Sequence, residues 1–81
     1  MTYLNLIKKI WLTKKARRMT ARLNKKVKAY PYHISVAIKM NPTILADARK
    51  IDMVLDRVDE LSGDPRNYTV VGMIRNLAAE T

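Results

Sequence analysis

The stretch "YHISVAIKMNPT", residues 32–43, carries the reading on which the fold turns. Ile34, Val36, Ile38 and Met40 fall on one side of an extended chain, and His33, Ser35, Ala37 and Lys39 on the other. Side chains of a strand alternate between two faces, so the pattern predicts a strand over 33–40 with one apolar face. The β-branched residues Ile34, Val36 and Ile38 suit it, and neither glycine nor proline interrupts it. Alternation stops at Asn41-Pro42. There asparagine suits a helix N-cap, and proline at the first helical position gives up a hydrogen bond that is missing anyway.

The flanks read as helices. Tyr3, Leu4, Leu6, Ile7, Ile10 and Trp11 gather within about half of a helical wheel, opposite Asn5, Lys8 and Lys9. From Leu12 a seam continues through Ala16, Met19, Leu23, Val27 and Tyr30 at steps of three and four. The spacing predicts a helix from about residue 3 to 29, closed by Pro31. Its first turns are expected to pack their apolar side on the rest of the protein. After the proline turn, Ile44, Leu45, Ala48, Ile51, Leu55, Val58 and Leu61 keep helical time up to Ser62-Gly63, where glycine suits the position after a helix end. Val71, Ile74, Leu77 and Ala78 restart the pattern, with Thr69 as N-cap and Asp64-Pro65 as a competing start. Gly72 inside this last helix costs ~1 kcal/mol relative to alanine. That cost predicts a close helix–helix approach.

Charge divides the chain. The net charge is +9 over 81 residues. Residues 1–30 hold ten lysines and arginines and no Asp or Glu, while residues 31–81 sum to −1. The expected organisation is a basic amphipathic helical arm over 1–30 and a core over 31–81. So lopsided a field suits a polyanion. Lys14, Lys15, Arg17, Arg18, Arg22, Lys25, Lys26 and Lys28 are the expected phosphate contacts, adding salt-sensitive affinity without choosing a sequence. A membrane surface is a rival partner, because Trp11, Tyr3 and the leucines lie over Lys8 and Lys9. It ranks behind nucleic acid. No run approaches the apolar length of a membrane span, and "YLNLI" is short for a signal peptide. A cytoplasmic setting is expected.

A lone strand leaves a row of backbone groups unpaired. With no second strand legible, a second copy is the expected source of pairing, giving a homodimer joined by a two-stranded antiparallel ribbon. Ile34, Val36, Ile38 and Met40 would form the dimer core on the following helices, and the other face would point outward from both copies.

Strand, Asn-Pro turn, helix, loop and helix is an order that resembles the ribbon-helix-helix DNA-binding proteins of the Arc and methionine-repressor type. The resemblance covers roughly residues 33–80. "ISVAIKMNP" looks like that family's strand, and "TVVGMIRNLA" (69–78) is similar to the start of its second helix. The nearest likeness is to phage or plasmid repressors and to accessory proteins of plasmid transfer. The resemblance implies a mostly α fold with one short strand, an intertwined dimer, and strands that enter the major groove of double-stranded DNA. By position it implies base contacts from Ser35, Ala37 and Lys39, with His33 at the edge. It also implies a phosphate held at the helix start near Thr69 and Val70. The function so implied is sequence-specific repression or DNA processing, within a larger nucleoprotein complex where one assembles. Two features depart from the pattern. The interval from Pro42 to Thr69 is longer than in minimal members, and the outer face of the strand carries only one cation, Lys39. The basic first thirty residues lie outside the family core.

The alternative class is an assembly protein of a virion or ribonucleoprotein, which binds without reading. No enzyme is expected. There is no Ser/His/Asp arrangement, no glycine-rich phosphate loop among two glycines, and no metal-ligand spacing around the single histidine. No cofactor is expected either. Asp52, Asp56, Asp59 and Glu60 crowd one side of the third segment, where a basic segment would find a dock.

Overall fold

Where alternation predicts a strand, the backbone coils. The computed structural model describes residues 2–80 as four helices: α1 (Tyr3–Lys28), α2 (Ile34–Met40), α3 (Thr43–Ser62) and α4 (Val70–Ala79). Among the described residues there is no strand, so the ribbon-helix-helix fold and its intermolecular ribbon are not formed. Short apolar segments fit both periods, and here the helical one wins for a reason visible in Ala37. At a spacing of three and four, Ile34, Ala37 and Ile38 share a helix face, and that face packs on the core. Ala37 becomes fully buried although alternation places it outside. Val36 and Met40, assigned to a dimer core, are instead exposed. His33 starts the helix, its ring Nδ1 accepting from the Ser35 amide at 3.2 Å. The α2 backbone bonds close locally, through Val36 N–H to His33 O and Asn41 N–H to Ala37 O. No strand edge remains for a twin to complete, and the reason given for a homodimer goes with it.

The long helices organise the molecule. Lys26 of α1 meets Thr43 and Asp47 at the start of α3, while Ile7, Trp11 and Leu12 share a shallow depression with Arg57 and Leu61 at its end. The two therefore run antiparallel. At a rise of about 1.5 Å per residue, α1 is about 39 Å long. It thus spans most of the 45 Å long axis of a body only 14 Å thick. Helix α2 packs on α3 and α4, and α4 on α3. The core joins Leu23, Ala37, Ile44, Ala48, Ile51 and Ile74, one or more from every helix. Complete burial of Ile44 and Ile51 contributes ~1.5–3 kcal/mol each.

Local signals place the helix ends. Thr2 caps α1 through its hydroxyl, which accepts from the Asn5 amide at 3.2 Å. Pro42 stands at the N-cap of α3, one residue later than expected, and Asn41 Oδ1 accepts from the Thr43 amide at 3.1 Å just before it. Gly63 ends α3 at φ 68°, a left-handed conformation that glycine adopts without a Cβ penalty. Thr69 caps α4, its Oγ1 accepting from the Gly72 amide at 2.9 Å.

Gly72 has a different cause from the expected one. A Cβ there would lie 2.8 Å from Thr69 Oγ1, so the glycine makes room for the cap rather than for a neighbouring helix. Gly72→Ala should then forfeit most of the ~1 kcal/mol helix gain that alanine normally brings. In a Thr69→Ala background the same change should deliver it, and urea unfolding of the four variants measures the difference. Ala37 supplies a sharper test of the fold. Ala37→Leu should destabilise by ~1–3 kcal/mol through overpacking; an outward strand position would tolerate it.

Candidate functional site

Helix α1 has two lines of side chains half a turn apart. One runs through Leu12, Ala16, Met19, Leu23 and Val27 and faces α3; Ala16 and Leu23 are buried. The other runs through Tyr3, Ile7, Ile10, Lys14, Arg17, Arg18, Ala21, Lys25 and Lys28 and faces solvent. Arg22 and Lys15 lie at its border. The phase of the first line fixes the second. Once Leu23 and Ala16 turn inward, the seven-residue spacing carries every residue of the outer line outward.

The outer line changes character along its length. From Lys14 to Lys28 it is cationic, with Ala21 the one apolar residue on it. Lys14, Lys15, Arg17, Arg18, Arg22, Lys25 and Lys28 are all exposed, and among the described residues none has an acidic group within ion-pair reach. Lys26 is the exception in the expected set. Half-buried on the α3 side, it is ion-paired with Asp47 and donates to Thr43 Oγ1 at 3.1 Å, so its charge is used within the fold.

The first three turns are apolar on the same outer side. Tyr3, Leu4, Leu6, Ile7, Ile10 and Trp11 are all exposed, Trp11 at 68% and Tyr3 at 79%. They were expected to pack on the core, but Tyr3, Leu6 and Ile10 point away from α3, and Ile7 and Trp11 meet it only at the edge of a shallow depression with Arg57 and Leu61. The signal was present in the sequence: positions 3, 7 and 10 lie in step with 14, 17, 21, 25 and 28, not with 12, 16, 19, 23 and 27.

The other expected contacts are not gathered into one surface. His33 caps α2, Ser35 is half-buried and bonds the His33 ring at 2.9 Å, Ala37 lies in the core, and Lys39 is exposed alone. No groove-facing row results. At α4 the anion position is already filled. The Asp52 carboxylate accepts from the Val70 amide at 2.7 Å and the Val71 amide at 3.0 Å, which leaves Val70 no free donor for a phosphate. The Thr69 hydroxyl accepts from Gly72 in the same turn.

The acidic side of α3 does find a cation, though not from α1. Arg66, in the α3–α4 loop, reaches Asp59 through Nε at 2.8 Å and Asp56 through Nη2 at 2.6 Å, and lies 3.5 Å from Asp52. Burial works to lower its pKa, but the bonds and charges of Asp59 and Asp56 outweigh it and hold the guanidinium above its ordinary value. Tyr68 adds a ring 5.5 Å from the guanidinium carbon. One guanidinium offsets one of the three carboxylate charges, and the acidic cluster is held together around it rather than by α1.

Compared with known proteins, the chain matches no family model, no curated protein and no solved structure. No helix among the described residues is long and apolar enough to cross a membrane.

Asp52→Ala should cost ~1–2 kcal/mol, the usual penalty for removing a helix cap, because two α4 amides lose their acceptor. Thermal unfolding measures it. Asp56→Ala, which removes one exposed partner of Arg66, should cost less than Asp52→Ala.

Proposed function

We propose that this protein is a non-enzymatic nucleic-acid-binding protein whose helix α1 lies along the phosphate backbone of a duplex, acting in the cytoplasm. The observation that carries the reading is the cationic stretch of the outer line: Lys14, Arg17, Arg18, Lys25 and Lys28, bordered by Arg22, unpaired and on one side of a rigid helix. From Lys14 to Lys28 that stretch covers about 21 Å. Phosphates on one DNA strand recur about every 3.4 Å, so several fall within its length.

Arginine forks suit phosphate oxygens, and lysines add mobile point charges. Contacts of this kind position a protein without reading bases. Groove reading by residues 33–40 is not carried over, since no strand presents them. Binding is thus expected to be independent of sequence, which fits packaging or assembly on nucleic acid better than repression at one site.

Counterion release sets the test. If about five phosphates are neutralised, the logarithm of the duplex-DNA binding constant should fall with log salt at a slope near −4.5. Fluorescence anisotropy between low and physiological salt measures that slope. Replacing Arg17, Arg18 and Lys25 with alanine should flatten it by about 2.7 and weaken unrelated duplexes alike. A slope near zero, or a variant that binds as tightly as the parent, contradicts the reading.

A further inference from the structure

We infer that the first three turns of α1 dock the protein on an anionic lipid bilayer, with Leu6, Ile7, Ile10 and Trp11 set into the headgroup–acyl boundary. The inference goes beyond nucleic-acid binding and does not rest on it, since a phosphate backbone offers these side chains nothing to bury against.

Four observations converge. Leu6 and Ile10 occupy the side of α1 turned away from α3, while Ile7 and Trp11 stay exposed at its border, beside a shallow depression shared with Arg57 and Leu61, so the helix can lie on a surface with the rest of the protein above it. Their chemistry is that of an interfacial helix: aliphatic side chains bounded by a tyrosine and a tryptophan, whose amphipathic rings favour the headgroup level. Exposed Lys8, Lys14, Lys15, Arg17 and Arg18 flank them, and residues 1–30 contain no acid to repel anionic headgroups. The apolar portion is also too short, and too broken by lysines, to span a bilayer, which leaves a helix lying in the interface.

Charge argues against a second copy as occupant. Parallel pairing through this face would set two cationic stretches against each other. Antiparallel pairing would set the apolar end of one helix on the cations of its twin. Anionic lipid satisfies both halves of the line together.

Trp11 is the single tryptophan and sits in the patch, so its emission reports docking directly. The full chain is titrated with phosphatidylcholine vesicles, with and without phosphatidylglycerol, and co-sedimentation is measured beside the emission. Trp11 should shift to the blue and the protein should sediment with the anionic vesicles. Each flanking cation is worth roughly fivefold, so replacing Lys14 and Lys15 with glutamine should weaken vesicle binding about 25-fold. Leu6→Gln/Ile10→Gln should abolish the blue shift and sedimentation while its helical circular dichroism and cooperative thermal unfolding match the parent's, which shows it folded. The inference is overturned by any of three results: no blue shift with anionic vesicles, equal sedimentation of the Leu6→Gln/Ile10→Gln variant, or a blue shift that follows protein concentration in the absence of lipid. The last would assign the patch to a second copy. Failure here with duplex binding intact leaves the nucleic-acid reading standing, and loss of duplex binding alone leaves the membrane inference standing.

Discussion

The rotational setting of α1 on α3 governs the molecule. Leu12, Ala16, Met19, Leu23 and Val27 form one line at helical spacing, and burying that line fixes which way every other residue of α1 points. A cationic stretch and an apolar end then share the opposite side, where no other helix covers them. The cations gain by this. Ten like charges in thirty residues repel one another, and spreading them along an exposed rod leaves most of them in water, with Lys26 instead paired to Asp47. Basic Lys25, Lys26 and Lys28 also sit in the last turn of α1, where the helix dipole favours positive charge.

A second constraint organises the other end. Asp52 serves α4 through two amides and faces Arg66, which in turn holds Asp56 and Asp59. Three carboxylates on one helix would repel; a largely buried arginine among them turns that repulsion into a clasp for the α3–α4 loop. Asp52 also occupies the helix N-terminus that was expected to hold a phosphate. The exposed cationic stretch of α1 is left as the surface for the proposed anion binding.

How much of this the sequence shows depends on the element. The helices over 3–28, 43–62 and 70–79 follow from periodicity, and their ends from Thr69, Asn41-Pro42 and Gly63. The error lay in seven residues. Ile34, Val36 and Ile38 alternate as a strand would, yet Ile34, Ala37 and Ile38 also satisfy helical spacing, and a small residue such as Ala37 is read as outward or inward equally well. Only the neighbouring helices decide, since a lone strand here would have had no partner for its backbone. The expectation of a dimer inherited that error. The basic residues were legible singly, but Lys26 was separated from the rest only by its contact with Asp47, twenty-one positions away. The apolar end of α1 was misassigned because its phase was not compared with the seam that begins at Leu12.

The central claim is that α1 binds nucleic acid through its outer line and that residues 33–40 do not. Backbone amide shifts of the labelled protein, followed by NMR as a short duplex is added, test it most directly. The account predicts shifts concentrated from Lys14 to Lys28 on the outer line, with Ala37, Val70 and Val71 unmoved. Shifts centred on residues 33–40 or on the start of α4 would contradict it.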